Sequence, residues 1–476
     1  MKKLATLSLL AVGVIALTAC APTVREYDGT EVQGVSATEI LIGNTAATTG
    51  DFSTVGVPFN TGLEAALYAY NNAGGFKGAQ VKLKHYDDGF DGAQGATYTK
   101  TLVEDDKVFA LVGHFGTNTV AATVDYIKEK GVPMMYAATG INELYQEEAV
   151  GYNKSVMPVQ PIYKTEGRIM LARAIATHTY GFAATKVGVI YTTDDAGLGM
   201  VDGVRRQAQE VTSNVTITYS ETSATSGTNH ASAVAKVANA DIVIICANQK
   251  PFGEILNYMR DGNVDKPVIT SYVSANTKTL GDLAIAGSIA GNRQVFTNAW
   301  LDIASATYFY APEATNLVGT YLWTCYKALA ATLGVPTLYD YGVFGFTEEY
   351  WTIAEAIATY TLAQNNWDWT NVTAFTNSYD SYALAGYCAG KMFVDGLARV
   401  EAADQPLTWL NYINAVESAP LDVPMGDEID YSEGARLGIA SLALNTFDTA
   451  TAQLVSVAPI TSLEDIWAAV PATLKK

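Results

Sequence analysis

From Glu39 onward, short apolar runs alternate with amphipathic stretches. "EILIGNTA" (39–46), "QVKLKHYD" (80–87), "VFALVG" (108–113) and "VPMMYAA" (132–138) have the length and β-branched content of strands. The spacing between them predicts helices over 56–72, 92–105 and 117–129, the first stopped by Gly74 and Gly75. The pattern then recurs. "KVGVIY" (186–191), "NVTITYS" (214–220), "DIVIICA" (241–247) and "PVITSYV" (267–273) read as strands, with helices predicted over 165–180, 197–210, 228–238 and 252–261. Strands alternating with helices of this length predict parallel sheets covered on both faces. Two successive four-strand blocks predict two similar α/β lobes, and the segment 151–161, which carries Pro158 and Pro161, reads as a crossover between them.

Beyond Arg293 the texture changes. Residues 303–377 are rich in Tyr, Trp, Ala and Leu and read as several helices, "YLWTCYKALAATLG" and "EEYWTIAEAIATYTLAQ" being the clearest. "SYALAGYCAGKMFVDGLARV" (381–400) is another. The tail returns to strand-like pieces, "GIASLALNTFD" and "TAQLVSVAPI".

Composition narrows the class. With 476 residues, 49% hydrophobic and 16% charged, the chain has ample material for a packed core. Its formal net charge of −19 argues against nucleic-acid phosphates as partners. The N-terminus adds a destination. Met1-Lys2-Lys3 precedes an apolar run, Leu4 to Leu17, too short to read first as a membrane span. The run ends in Leu17-Thr18-Ala19-Cys20, which resembles the lipobox of bacterial lipoproteins. Residues 1–19 are then a signal peptide, Cys20 the lipidated residue, and 20–35 a polar, flexible tether. The three remaining cysteines, with no CxxC pair, argue against a disulfide framework or a zinc site.

In an open parallel sheet, ligands sit beyond the carboxyl ends of the strands, where helix N-termini offer free N–H groups. Thr117, Asn118 and Thr119 follow the third strand at such a place, and Ala138 and Thr139 follow the fourth. Helix capping explains Thr117 or Asn118 equally well from spacing alone. His114 invites a catalytic reading, but no GxSxG, HExxH or Walker A motif accompanies it, so a structural histidine at a strand end is the better account. The acids of "HYDDGFDG" fail calcium-loop spacing and read as caps for the helix near Gly92. Asp194 and Asp195, in "YTTDDAGLGM", stand where the second lobe opens a helix.

These parts together resemble the extracytoplasmic solute-binding proteins of branched-chain amino acid ABC importers, relatives of the leucine/isoleucine/valine-binding protein. The resemblance rests on the lipobox, "GLEAALYAYNNAGGFKG", "HYDDGFD", "LVGHFGTNT" and "GVPMMYAATG". It covers about 36–302 and resumes from "SYALAGY" to "IDYSEGARLGIASLAL". It implies two Rossmann-like lobes joined by a hinge: lobe 1 over 36–155, lobe 2 over 156–290, a crossover over 291–302, an inserted helical segment over 303–377, and 378–476 completing the lobes. It also implies a binder rather than an enzyme, with no cofactor or metal, partnered by a small solute, an ABC permease and, through its lipid, the outer face of the cell membrane. A sensory receptor of the same fold is the alternative.

The family holds its ligand's α-carboxylate with a hydroxyl after the third strand and an Ala-Ala-Thr segment after the fourth. Carried over, these are Thr117, with Phe115 and Gly116 in the same loop, and Ala137, Ala138 and Thr139. The opposite half departs from the pattern. The acid that meets the α-ammonium becomes Tyr272. Family tyrosines become Ala196, Asn248 and Val55, and one aromatic is kept as Tyr382. Either Asp195 or Asp194 takes over the ammonium, or the ligand has none. The expectation carried forward is that Asp195 contacts the ligand's other end.

Overall fold

The computed structural model describes residues 24–177, 181–224, 230–274, 276–306, 317–332, 348–370, 372–378, 380–450 and 453–476. Cys20 and the signal segment lie outside them. The first lobe contains β1 (Glu39–Ala46), α1 (Ser53–Asn72), β2 (Gln80–Asp87), α2 (Gly92–Lys100), β3 (Ala110–Phe115), α3 (Thr117–Lys130), β4 (Met134–Ala138) and β5 (Val156–Met157). Its five strands are all parallel, in the order β2-β1-β3-β4-β5. Every residue of β3 is buried, as a strand covered on both faces requires. On α3, Val120, Val124 and Ile127 recur at helical spacing and face the core. Burying each contributes about 1.5–3 kcal/mol.

The second lobe contains α4 (Tyr163–Ile175), β6 (Lys186–Thr192), α5 (Asp195–Ala208), β7 (Thr216–Thr222), α6 (His230–Val237), β8 (Ile242–Cys246), α7 (Gln249–Asp261), β9 (Val268–Thr270), α8 (Thr277–Ile285) and β10 (Val295–Ala299). After α9 (Ile303–Ala306), α10 (Leu317–Thr332), α11 (Glu348–Gln364), α12 (Thr373–Ser378), α13 (Ser381–Ala402) and α14 (Trp409–Glu417), the chain returns to this lobe as β11 (Ser441–Asp448) and β12 (Gln453–Ser462), and closes with α15 (Leu463–Ala468). The sheet has seven strands, β12-β11-β10-β9-β8-β6-β7, with β11 antiparallel to both neighbours.

The architecture is therefore the expected pair of α/β lobes, with three differences of detail. First, the stretch read as a crossover (291–302) contains β10, because "VFTNA" pairs with both β9 and β11. Second, the first sheet runs to Met157, two residues past 155, because Val156 and Met157 pair with Met134 and Met135. Third, the described part of the expected tether is packed rather than free. Tyr27 donates to the Gly131 carbonyl at 2.6 Å and its ring lies 4.6 Å from that of Tyr152.

Three segments cross between the lobes. One leads from β5 into α4, one from β10 into α9, and one from α14 into β11; Ile439 N donates to the Val159 carbonyl where the first and third run together. Of the described inserted helices, α10 and α11 lie on lobe 1. Residues of α10 and α11 form a second core with Ala65 and Ala66 of α1, and Tyr360 donates to Glu64 at 2.7 Å. No helix among the described residues is long and apolar enough to cross a membrane.

Candidate functional site

The carboxyl ends of β3 and β4 are built by a shared departure from regular pairing. Val112 pairs with Met135 and His114 with Ala137, while Gly113 and Tyr136 between them both take positive φ, 63° and 62°. For Tyr136 that conformation is strained, by about 1–3 kcal/mol. Its ring is held in place by packing near Phe59 and Trp300 and by Gln160, whose amide donates to its hydroxyl at 2.8 Å. Gly116 follows with φ 99°, a conformation open to glycine, and turns the chain into α3.

That turn settles the capping question. Gly116 occupies the N-cap position of α3 and no side chain caps the helix. Asn118 instead donates to the Phe90 carbonyl, and Thr119 to Asp88 at 2.6 Å. The first N–H groups of α3 thus lack an intrahelical acceptor and a capping side chain. Thr117 Oγ1 lies 3.0 Å from Thr139 Oγ1. Gly116 N donates to the Ala138 carbonyl, which ties the two strand ends together, and Thr139 N folds back on the Ala137 carbonyl of its own strand. Phe115 turns into the core, its ring 5.5 Å from Phe59.

His114 faces away from this place. It is fully buried, with Nε2 3.1 Å from Thr123 Oγ1 and 3.4 Å from Thr99 Oγ1, and burial pulls its pKa down to about 4. It is a neutral strut between β3, α2 and α3. Asp91 caps α2 through Ala93 N and Gln94 N, as its spacing suggests. No cluster of groups that could hold a metal occurs among the described residues.

On the second lobe the expected residues separate. Asp194, not Asp195, is tied down. It caps α5 at Gly197 N, accepts from Thr192 Oγ1 at 2.6 Å and from Asn248 Nδ2 at 3.3 Å. Asp195 is exposed, and its side chain makes no hydrogen bond among the described residues. Partial burial, with Glu143 and Asp194 nearby, raises its pKa. Ala196 is fully buried, and Val55 lies in the lobe 1 core. Tyr272 donates from its hydroxyl to Gln160 Oε1 and the Pro161 carbonyl, so it faces the crossover. Tyr382, at the start of α13, donates to the Val273 carbonyl and accepts from Gln249, both at 3.4 Å. A surface ion pair, Lys250 to Asp51 at 2.6 Å, spans the lobes beside it.

Two residues at the start of α4 escaped the reading from sequence. Tyr163 sends its hydroxyl into lobe 1, 3.3 Å from Thr117 Oγ1, and accepts from Thr139 Oγ1 at 3.4 Å. Glu166, one turn on, is completely buried at the ends of β9 and β10. Its carboxyl accepts from Ser271 Oγ (2.6 Å), Tyr272 N (2.9 Å) and Asn298 Nδ2 (3.4 Å), yet burial still lifts its pKa to about 7. The one available signal was position: α4 opens directly after the first crossover, where a side chain can reach both lobes.

Comparison with known proteins agrees with this architecture. The profile described as "periplasmic binding protein" matches residues 39–308 and so ends where the inserted helices begin. A Leu/Ile/Val-binding protein homolog 2 of Brucella abortus is 34% identical over 106 residues, which cover 22% of this chain and 28% of the relative. The chain thus spans under a third of that relative's length. Among solved structures, a fatty acid ABC transporter substrate-binding protein of Thermomonospora curvata superposes with TM-score 0.66 at 16% identity, covering 93% of this chain and 98% of that one. A branched-chain amino acid transporter substrate-binding protein of Streptococcus pneumoniae, in complex with isoleucine, gives TM-score 0.60 at 16% identity, covering 88% and 100%.

Proposed function

The chain belongs to the periplasmic binding protein family, and we propose that it captures a small carboxylate-bearing solute between its lobes and delivers it to an ABC permease. In this reading it is a binder, not a catalyst. It is an extracytoplasmic lipoprotein: residues 1–19 are removed, Cys20 carries the lipid, and two lobes split near 155 close on the ligand.

The observation that carries the reading is the pair of buried hydroxyls, Thr117 and Thr139, 3.0 Å apart beside the uncapped start of α3. An uncapped helix N-terminus with added hydroxyl donors suits an oxyanion. Support also comes from two proteins of the same fold whose named ligands, isoleucine and fatty acid, share a carboxylate while only the first carries an ammonium. The backbone of Phe115, Gly116, Ala137 and Ala138 frames this pole, and the exposed Asp195 is the residue offered to the ligand's other end, with Asn248, Tyr272 and Tyr382 bonded to other partners.

Calorimetry with amino acids, keto acids and simple carboxylic acids tests the reading. A ligand is expected among the acids, with Thr117→Ala weakening it about tenfold or more, ~1.4 kcal/mol. Tight binding of uncharged, carboxylate-free solutes with Thr117→Ala silent sinks it. For the anchor, metabolic labelling with a radioactive fatty acid should mark the chain and spare the Cys20→Ala variant.

A further inference from the structure

We propose that Tyr163, at the root of the second lobe, is a third hydroxyl donor to the ligand's carboxylate, and that a carboxylic acid without an ammonium is enough to bind. This rests on the carboxylate reading above and narrows it to a ligand class and a specificity-determining residue.

The geometry is a ring of three hydroxyls. Thr117 and Thr139 come from the ends of β3 and β4 in lobe 1, and Tyr163 from the first turn of α4. Their oxygens are separated by 3.0, 3.3 and 3.4 Å. The three residues are 3%, 1% and 1% exposed. Each hydroxyl has one proton to give. In the absence of an anion they give these to one another. A carboxylate oxygen meeting this ring from one face can accept all three, with the free N–H groups of α3 beside it. Burial raises the pKa of the Tyr163 phenol, so it stays protonated and able to donate at neutral pH.

Tyr163 is held where the two lobes meet. Its backbone is pinned at the crossover, where Tyr163 N donates to the Gly140 carbonyl at 2.5 Å. Its ring therefore reaches lobe 1 from the root of lobe 2. The other lobe 2 candidates are engaged elsewhere. Tyr272 donates to Gln160 and Pro161, and the Glu166 carboxyl is filled by three donors from Ser271, Tyr272 and Asn298. Asp194 caps its own helix, and Asp195 is exposed.

The test uses the full chain in detergent with acetate, 4-methylpentanoate, benzoate, L-leucine and the neutral 4-methylpentanamide as probes. At least one unaminated acid should bind as tightly as L-leucine or more so, and the amide should not bind. Tyr163→Phe should raise the dissociation constant for that acid at least tenfold, with the melting temperature of the free protein little changed. A crystal structure of the unmodified chain with the bound acid should have Tyr163 Oη within hydrogen-bond distance of the carboxylate; this readout stands even if the variant folds poorly. Acids that bind with Tyr163→Phe silent, or a bound carboxylate that Tyr163 does not touch, overturn this proposal alone. If L-leucine binds and every unaminated acid fails, the ligand-class inference falls while the carboxylate reading survives. If none of the acids binds, both readings fall.

Discussion

The two sides of the cleft were written under different rules. On lobe 1, the pole at Thr117 and Thr139 is made by strand ends whose order and pairing are forced by the sheet. On lobe 2, the residues at the matching strand ends, Asn248 and Tyr272, are turned to other partners, and the groups nearest the lobe 1 pole come from α4. A parallel sheet delivers its strand ends to one edge, so a site that uses them is legible in a linear reading. A site that borrows from a helix beyond a crossover is not.

The lobe 1 pole should show the largest effect. Replacing both Thr117 and Thr139 by Ala should abolish binding of any acid ligand, about a hundredfold or more if each hydroxyl contributes ~1.4 kcal/mol. Retained affinity in calorimetry would move the pole elsewhere.

Next is Glu166, the most deeply placed acid of lobe 2. Its folded pKa, about 7, lies above its ordinary value near 4.5. The folded protein therefore holds the proton more tightly than the unfolded chain. Stability should be greatest below pH 4.5 for this group and decline as pH rises to about 7, by ~3 kcal/mol in all. Glu166→Gln should flatten that decline in denaturant melts taken from pH 4.5 to 8. An unchanged profile would mean that the carboxyl is already ionised at low pH.

The neighbouring aspartates should separate cleanly. Asp194→Ala removes the cap of α5 and is expected to cost about 1 kcal/mol in thermal melts. Asp195→Ala should leave stability unchanged or slightly improved, since its neighbours Glu143 and Asp194 repel it. If Asp195 meets a ligand ammonium, the same change should weaken aminated ligands alone.

The smallest effect belongs to the Asp51–Lys250 pair across the lobes. Both side chains are well exposed, 69% and 59%. Asp51→Asn should change ligand affinity by no more than about twofold, and 0.5 M salt should erase the difference. A larger shift would make the pair a true latch.

Residue by residue, the limits of legibility follow from the same physics. β1 and β2 fall on "EILIGNTA" and "QVKLKHYD" with the expected ends because an apolar run in the first and an apolar–polar alternation in the second are flanked by turn residues. β10 was passed over because "VFTNA" is mixed in polarity and is a strand only by pairing with β9 and β11. Asp195 looked like the cleft acid because it opens a helix, yet the cap fell to Asp194, whose oxygen reaches Gly197 N. His114 was readable as structural, but its partners were not: they are Thr99 and Thr123, brought to it by two packed helices.

What the sequence determined by itself was local. Hydrophobic period, turn residues and strand-end hydroxyls depend on neighbours a few positions away, and they specify two α/β lobes and two hydroxyls at adjoining strand ends. Contacts whose partners lie far apart in the chain were set by the folded packing. The strained Tyr136, the reach of Tyr163 from α4 to Thr117 and Thr139, the burial of Glu166 under Ser271 and Tyr272, and the seat of α10 and α11 on α1 are set by packing. No local preference favours any of them, and the fold supplies the energy that holds each in place.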